Sequence, residues 1–206
     1  MNINQSKYHQ LADNIVEHGF HSLDNFLNPE LFFTLRTIAI RLHQEGYYQS
    51  ARIGNHLNKT QNTSVRSDVI CWLDRHSEEK AIMEYLKAIR KISDLLNQTL
   101  FLGLHDIEAH FAIYESNQYY KKHRDVFSNN NDRRISCVYY LNDDWQKESG
   151  GQLKIYNEDA NPLASILPVG NRLVVFKSNL IHEVCAAYRT RCSIATWFKV
   201  RPTVQR

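Results

Sequence analysis

The chain has 206 residues, 43% of them hydrophobic and 11% aromatic, with a formal net charge of +3. That length fits one domain with a substantial core, the composition excludes a disordered chain, and no apolar run reaches the length of a membrane span. Four cysteines without C-x-x-C spacing, and a polar start without the basic and apolar regions of a leader, point to a reduced, cytoplasmic setting rather than a disulfide framework.

Ser6 is placed to cap a short helix running to about His18, with Leu11, Ile15 and Val16 on one face. Asn28-Pro29 opens a second helix, because proline's missing N–H is harmless in a first turn; Leu31, Leu35, Ile38 and Leu42 form its stripe and Gly46 ends it. The polar stretch 55–64 lacks apolar periodicity and reads as a long exposed loop, followed by the strand-like run Val69-Ile70-Cys71-Trp72. Glu78 to about Leu100 forms a third helix, with Ile82, Leu86, Ile89, Ile92 and Leu96 as its buried stripe. From Ile107 the pattern changes to alternation, giving strands at 107–114, 119–123, 134–141, 152–156, 164–168, 172–177, 182–188 and 191–200, with turns at Gly150-Gly151 and Gly170-Asn171. Short strands after a helical start predict a mainly β fold with α, a two-sheet jelly roll with N-terminal supporting helices. Residues 1–206 read as a single domain, 1–105 largely helical support and loop, 106–201 the β core.

The chemistry concentrates in the β-rich part. His123-Arg124-Asp125 followed by His182 offers two imidazoles and one carboxylate, the donor set of a facial triad for ferrous iron with open positions left over. The H-x-D spacing suits a strand and the turn after it, while His182 must come from a distant strand. Arg191 supplies a planar fork suited to gripping a carboxylate, with Arg189 as competitor. Iron beside a gripped dicarboxylic acid suggests 2-oxoglutarate-dependent oxygenation. Strand parity puts Arg191, Ser193, Ala195 and Trp197 on one face, as it does Ser136, Val138 and Tyr140, and His110, Ala112 and Tyr114. Parity alone does not say which face is inward. Lys121, Lys122, Arg124, Arg133 and Arg134 flank the triad; they form either a solvated surface or a rim attracting an acidic peptide or a phosphate backbone.

Taken in order, Arg66-Ser67-Asp68-Val69-Ile70-Cys71-Trp72, Tyr114, His123-Arg124-Asp125, the run Arg133 to Asn142, Gly150-Gly151-Gln152-Leu153, His182-Glu183-Val184 and Arg191 to Trp197 resemble the prolyl 4-hydroxylase family of Fe(II)/2-oxoglutarate dioxygenases. The likeness is greatest to the hypoxia-sensing prolyl hydroxylases and their bacterial relatives, and runs from about Val16 to Val200. It implies a double-stranded β-helix, with Fe(II) on His123, Asp125 and His182, and 2-oxoglutarate held at its far carboxylate by Arg191 and the Tyr140 hydroxyl. It also implies Tyr114 near the chelating end, and Leu153, Val184 and Trp197 as apolar walls. On the substrate side it implies Arg66, Asp68, Arg133 and Arg134, with residues 55–66 as a loop over the peptide and Asp68 paired with Arg133. The implied cofactors are Fe(II), 2-oxoglutarate and O2, with L-ascorbate as an accessory; the implied reaction hydroxylates a prolyl residue of a protein, releasing succinate and CO2. Translation-machinery proteins form a first pool of substrates, with no membrane partner and with nucleic acid disfavoured. His110 is expected near the pocket without binding iron, and Ala195 departs from the threonine of the hypoxia-sensing members. The alternatives are a related oxygenase (a nucleic-acid demethylase, or a lysyl or small-molecule hydroxylase) and a non-catalytic jelly-roll binding module, which the intact triad and Arg191 argue against.

Overall fold

Alternation from Leu104 onward builds most of two antiparallel sheets, and the helices cover one of them. The computed structural model describes residues 5–51, 64–76, 78–126 and 132–201. Its helices are α1 (Gln5–Glu17), α2 (Pro29–Gln44) and α3 (Lys80–Leu100). Its strands are β1 (Phe20–Leu23), β2 (Gln49–Ser50), β3 (Val69–Trp72), β4 (Leu104–Tyr114), β5 (Tyr120–His123), β6 (Arg133–Tyr140), β7 (Leu153–Tyr156), β8 (Pro162–Ile166), β9 (Leu173–Lys177), β10 (Ile181–Val184) and β11 (Arg191–Val200). The major sheet runs β1-β9-β6-β11-β4-β3-β2 and the minor sheet β5-β10-β7-β8, the two layers of a jelly roll.

The major sheet is apolar on both faces, for different reasons. On its outer face Phe111, Ile135, Tyr139, Val175, Ile194 and Phe198 join the stripes of the three helices in the main core. On its inner face Tyr140, Val174 and Phe176 meet Leu153 and Ile155 of the minor sheet. Each such side chain, fully buried, contributes about 1.5–3 kcal/mol. α2 starts as its sequence predicts: Asn28 Oδ1 accepts from the Leu31 N–H at 2.8 Å. The inside–outside question left by parity is settled at Tyr139. Its ring packs 5.7 Å from both Phe26 and Tyr85, and its hydroxyl donates to Asn171 Oδ1 at 2.8 Å, so Tyr140 faces inward.

Several expectations change. The expected strand-like run Val69–Trp72 is β3, but β1 and β2 are not among the expected strands, and they form the two edges of the major sheet. β1 is a four-residue run too short to show alternation; pairing of Phe20–Leu23 with β9 makes it a strand. Val16 is 61% exposed, so the stripe of α1 is Leu11, Ala12 and Ile15 instead. On α3 the inward position falls to Tyr85, whose hydroxyl shares a 2.8 Å hydrogen bond with Thr196, and Leu86 is half-buried. The strand expected over 182–188 ends at Val184, since the Cys185 and Ala187 N–H groups donate to Gln152 and Gln118 across the loops. The cysteines are free, Cys71, Cys137 and Cys192 buried. No helix among the described residues is long and apolar enough to cross a membrane. Most of the expected substrate loop, 55–63, lies outside the described residues.

Candidate active site

Pairing of β10 with β5 sets His182 directly opposite His123. Two residues on, Asp125 sits in the turn, its N–H donating to the Ser178 carbonyl at 3.0 Å. The three side chains offer ligand atoms within 4.8 Å of one another. Each imidazole donates its Nδ1–H to a carbonyl two residues earlier, His123 to Lys121 at 2.7 Å and His182 to Leu180 at 3.0 Å. This fixes the tautomer and leaves both Nε2 lone pairs facing Asp125, at 3.7 Å from Oδ1 and 3.5 Å from Oδ2. Ser136 donates to Asp125 Oδ2 at 2.6 Å and shares a 2.9 Å bond with Ser178.

The protonation states suit a metal. Burial, then the neighbouring His182, lower His123 to about 3. Burial works to raise the Asp125 carboxyl, but His182, His123, Arg133 and the Ser136 hydroxyl outweigh it and hold it at about 2. The two Nε2 atoms and the ionised Asp125 carboxylate thus aim donor atoms into one space. That repulsive arrangement is relieved by a cation, and the mixed N/O set with one open side fits Fe(II).

A second buried locus lies at the start of β11. Arg191 is 1% exposed, with Tyr114 opposite it on β4. Its Nε donates to the Gly151 carbonyl at 3.0 Å and its Nη1 to Ser193 Oγ at 3.3 Å. The guanidinium carbon lies 5.1 Å from the Tyr114 ring centre and 5.0 Å from that of Tyr140. Two polar atoms are left buried without a partner among the described residues, Arg191 Nη2 and Tyr140 Oη. Native interiors seldom tolerate such orphans, and one cationic and one neutral donor side by side fit an incoming carboxylate. Burial raises the Tyr140 phenol, opposed by the charge of Arg191 and a weak contact with it that falls short of hydrogen-bond geometry, so it stays a donor. Gly151 has φ +68°, and a Cβ there would meet Arg191 Cδ and Trp145 Cζ2 at 3.1 Å. Arg189 is exposed and donates to the Asp144 carbonyl, so of the two competing arginines Arg191 is the buried one.

Leu153 and Val184 are buried on the facing sheet. Trp197 is paired with Ser136 and so lies toward the Asp125 end; His110 is buried between Trp72 and Trp197, at 5.1 and 5.2 Å. The Asp68–Arg133 pair does not form. Asp68 is held by both Arg66 Nε and Nη2, at 2.8 and 2.6 Å, because the adjacent fork matches the carboxylate better than a distant strand. Arg133 donates to Glu108 at 2.9 Å and stacks over Trp197 at 3.8 Å, turned there by the register shift between Phe198 and Lys199. Arg134 is exposed. Of the expected cationic rim, Lys122 lies over Tyr156 on the outside of the minor sheet, and Arg124 donates to the Asn179 carbonyl at 2.5 Å.

A jelly roll that brings two imidazoles and a carboxylate to one point, and buries an arginine and a tyrosine with unpartnered polar atoms between its sheets, defines a non-haem Fe(II) oxygenase. Comparison with known proteins narrows the class. The sequence profile of the 2OG-Fe(II) oxygenase superfamily matches residues 109–199. The chain is 30% identical over 191 residues to human prolyl hydroxylase EGLN3, covering 88% of this chain and 79% of that protein. It is equally identical to human Egl nine homolog 1, of whose length it spans 44%; across the human, rat and mouse forms of that protein it spans about half. The crystal structure of a Pseudomonas putida prolyl-4-hydroxylase superposes with TM-score 0.84 at 34% identity, over 94% of this chain and 99% of that one. A Trichoplax adhaerens prolyl hydroxylase, solved with a hypoxia inducible factor peptide fragment, shares the fold at TM-score 0.84 and 24% identity, over 95% and 90% of the two chains. This chain belongs to the 2OG-Fe(II) oxygenase superfamily, and its cofactors are Fe(II), 2-oxoglutarate and O2.

Proposed function

We propose that this protein hydroxylates a prolyl residue of a protein or peptide, converting 2-oxoglutarate to succinate and CO2. The observation that carries the reading is the pair of unpartnered donors, Tyr140 Oη and Arg191 Nη2, with Tyr140 in the same inter-sheet core as Phe176, which packs on His182. A dicarboxylate reaching from the metal donors to that pair satisfies both loci at once. The similarity to prolyl hydroxylases over most of the chain supports the choice of prolyl substrate.

When bound, Fe(II) activates O2 for oxidative decarboxylation and substrate oxygenation. The residues of this chain do the rest. His123, Asp125 and His182 would hold the metal, a donor set that suits ferrous iron. Arg191 and Tyr140 orient the cosubstrate by its far carboxylate, and Tyr114 flanks Arg191 on the other side. Leu153, Val184 and Trp197 keep water from the reacting centre. Arg133 and Arg134 take the substrate side, with Arg133 over Trp197 as a flat cationic shelf for an extended peptide, while the buried Asp68 takes part only by holding Arg66. Translation-machinery substrates, an L-ascorbate requirement and a cytoplasmic site belong to the same proposal, supported by the resemblance and by the free cysteines. Incubating a proteome with enzyme, Fe(II) and 2-oxoglutarate should add the mass of one oxygen atom to specific prolines. Oxygen added only to lysines or to nucleobases would replace the prolyl reading with one of its alternatives.

A further inference from the structure

Of the two imidazoles at the metal site, His123 is the less enclosed, its side chain 15% exposed against 6% for His182. His182 is wedged between the edge of Phe176, at 4.7 Å, and His123 itself, at 4.1 Å. His123 has a different support. The Tyr120 ring lies flat on it, with centroids 3.5 Å apart and planes 11° apart. The Arg66 guanidinium lies over the Tyr120 ring as well, 4.3 Å from its centre. Arg66 is in turn immobilised by two hydrogen bonds to the fully buried carboxylate of Asp68. The backbone holds these parts together: Arg66 bridges to Tyr120, the Ser67 N–H donates to the Tyr119 carbonyl, and the Lys121 N–H donates to the Val65 carbonyl.

We infer that Tyr120, stacked flat on the His123 imidazole and itself held by the Arg66 guanidinium, is a positioning residue that fixes the plane of the metal-ligating ring. The single Nδ1–H bond to Lys121 restrains one atom of that ring but leaves it able to tilt. A flat group in van der Waals contact with the whole face opposes the tilt. The chain of restraint runs from Asp68 to Arg66 to Tyr120 to His123, so the Arg66–Asp68 pair serves the metal site from a distance. The irregular register of β5 against β10 makes this possible: in a regular strand, residues three apart face opposite sides, whereas here both Tyr120 and His123 turn to the site.

The inference rests on the triad being the metal site, so metal binding by the wild type is measured first. Titration of the purified protein with Co(II) gives an affinity and a visible ligand-field spectrum without turnover; melting of the metal-free protein is recorded in parallel. Tyr120→Met fills the space without a flat face and should weaken Co(II) binding about tenfold, as loss of a supporting contact around a metal ligand does. Its ligand-field bands should also broaden and shift. Tyr120→Phe keeps the face and should restore wild-type affinity and bands. Arg66→Lys keeps the charge but loses the planar cap, and should shift the bands in the same direction as Tyr120→Met, by less. Wild-type affinity and bands in both Tyr120→Met and Arg66→Lys would overturn the inference, as would a Tyr120→Phe protein as impaired as Tyr120→Met. Should Tyr120→Met not fold, unchanged bands in Arg66→Lys would overturn it alone. A wild type that binds no Co(II) at the triad would remove the oxygenase reading itself, which no result on Tyr120 alone can do.

Discussion

Tyr140→Phe separates stability from cosubstrate binding, because the deleted hydroxyl has no partner among the described residues of the free protein. An unsatisfied buried hydroxyl costs about 1–3 kcal/mol, so its removal should leave the metal-free, cosubstrate-free protein as stable or more stable. For a domain of this size, each kcal/mol gained raises Tm by about 2–4 °C. Binding should move the other way. A hydrogen bond from the phenol to a charged carboxylate is worth about 1.5–3 kcal/mol, which corresponds to roughly 10- to 100-fold in Kd. Calorimetric titration of 2-oxoglutarate into the Mn(II) protein gives the second number and thermal melting gives the first. Opposite signs are the signature of a donor waiting for a ligand. A variant whose affinity stays within about twofold, or one that loses 1 kcal/mol or more of stability without ligand, would show that the hydroxyl serves the core and not the cosubstrate.

Arg191→Met should cost about 2–5 kcal/mol of 2-oxoglutarate affinity while Mn(II) affinity changes by less than about threefold; equal losses in both would place the carboxylate elsewhere. Gly151→Ala puts a side chain at φ +68° and against Arg191 Cδ, so it should raise the KM for 2-oxoglutarate before it lowers kcat; the reverse order in steady-state kinetics would contradict the positioning of Arg191 by the Gly151 carbonyl. Burial, then Arg66, lowers His110 from 6.5 to about 4. Between those values the unfolded chain binds the extra proton, so stability falls as pH drops from about 6.5 to about 4, by on the order of 3 kcal/mol in all. Denaturant titrations of His110→Gln across that window should show a flatter pH dependence than the wild type, and parallel curves would mean that His110 does not contribute.

Much of this was legible in the residues alone. The donor types and the H-x-D spacing select the metal chemistry, since few side chains can ligate Fe(II) and a strand followed by a turn brings two near neighbours to one point. Alternation marks eight strands from Ile107 on, the first of which begins three residues earlier, and Asn28-Pro29 marks the start of α2, because caps and pleats are local and a short stretch of chain contains their cause. What the residues could not decide depends on contacts between distant segments. Parity groups Tyr140 with Val138 and Ser136 but is silent on which side is inside; packing of Tyr139 under Tyr85 chooses it. Arg189 and Arg191 share parity and charge, and only the closed sheet buries one and exposes the other. Asp68 takes Arg66 and not Arg133, and Ser136, which parity places on the face of Tyr140 without a role, becomes the donor that holds Asp125. Tyr120 escapes sequence reading altogether, because a break in register overrides the two-residue period that sequence reading depends on. The sequence by itself determined which chemical groups are available and the local pieces that carry them. The tertiary structure alone decided which of them meet, because register, bulges and the inward face are properties of pairs of strands and not of any one strand.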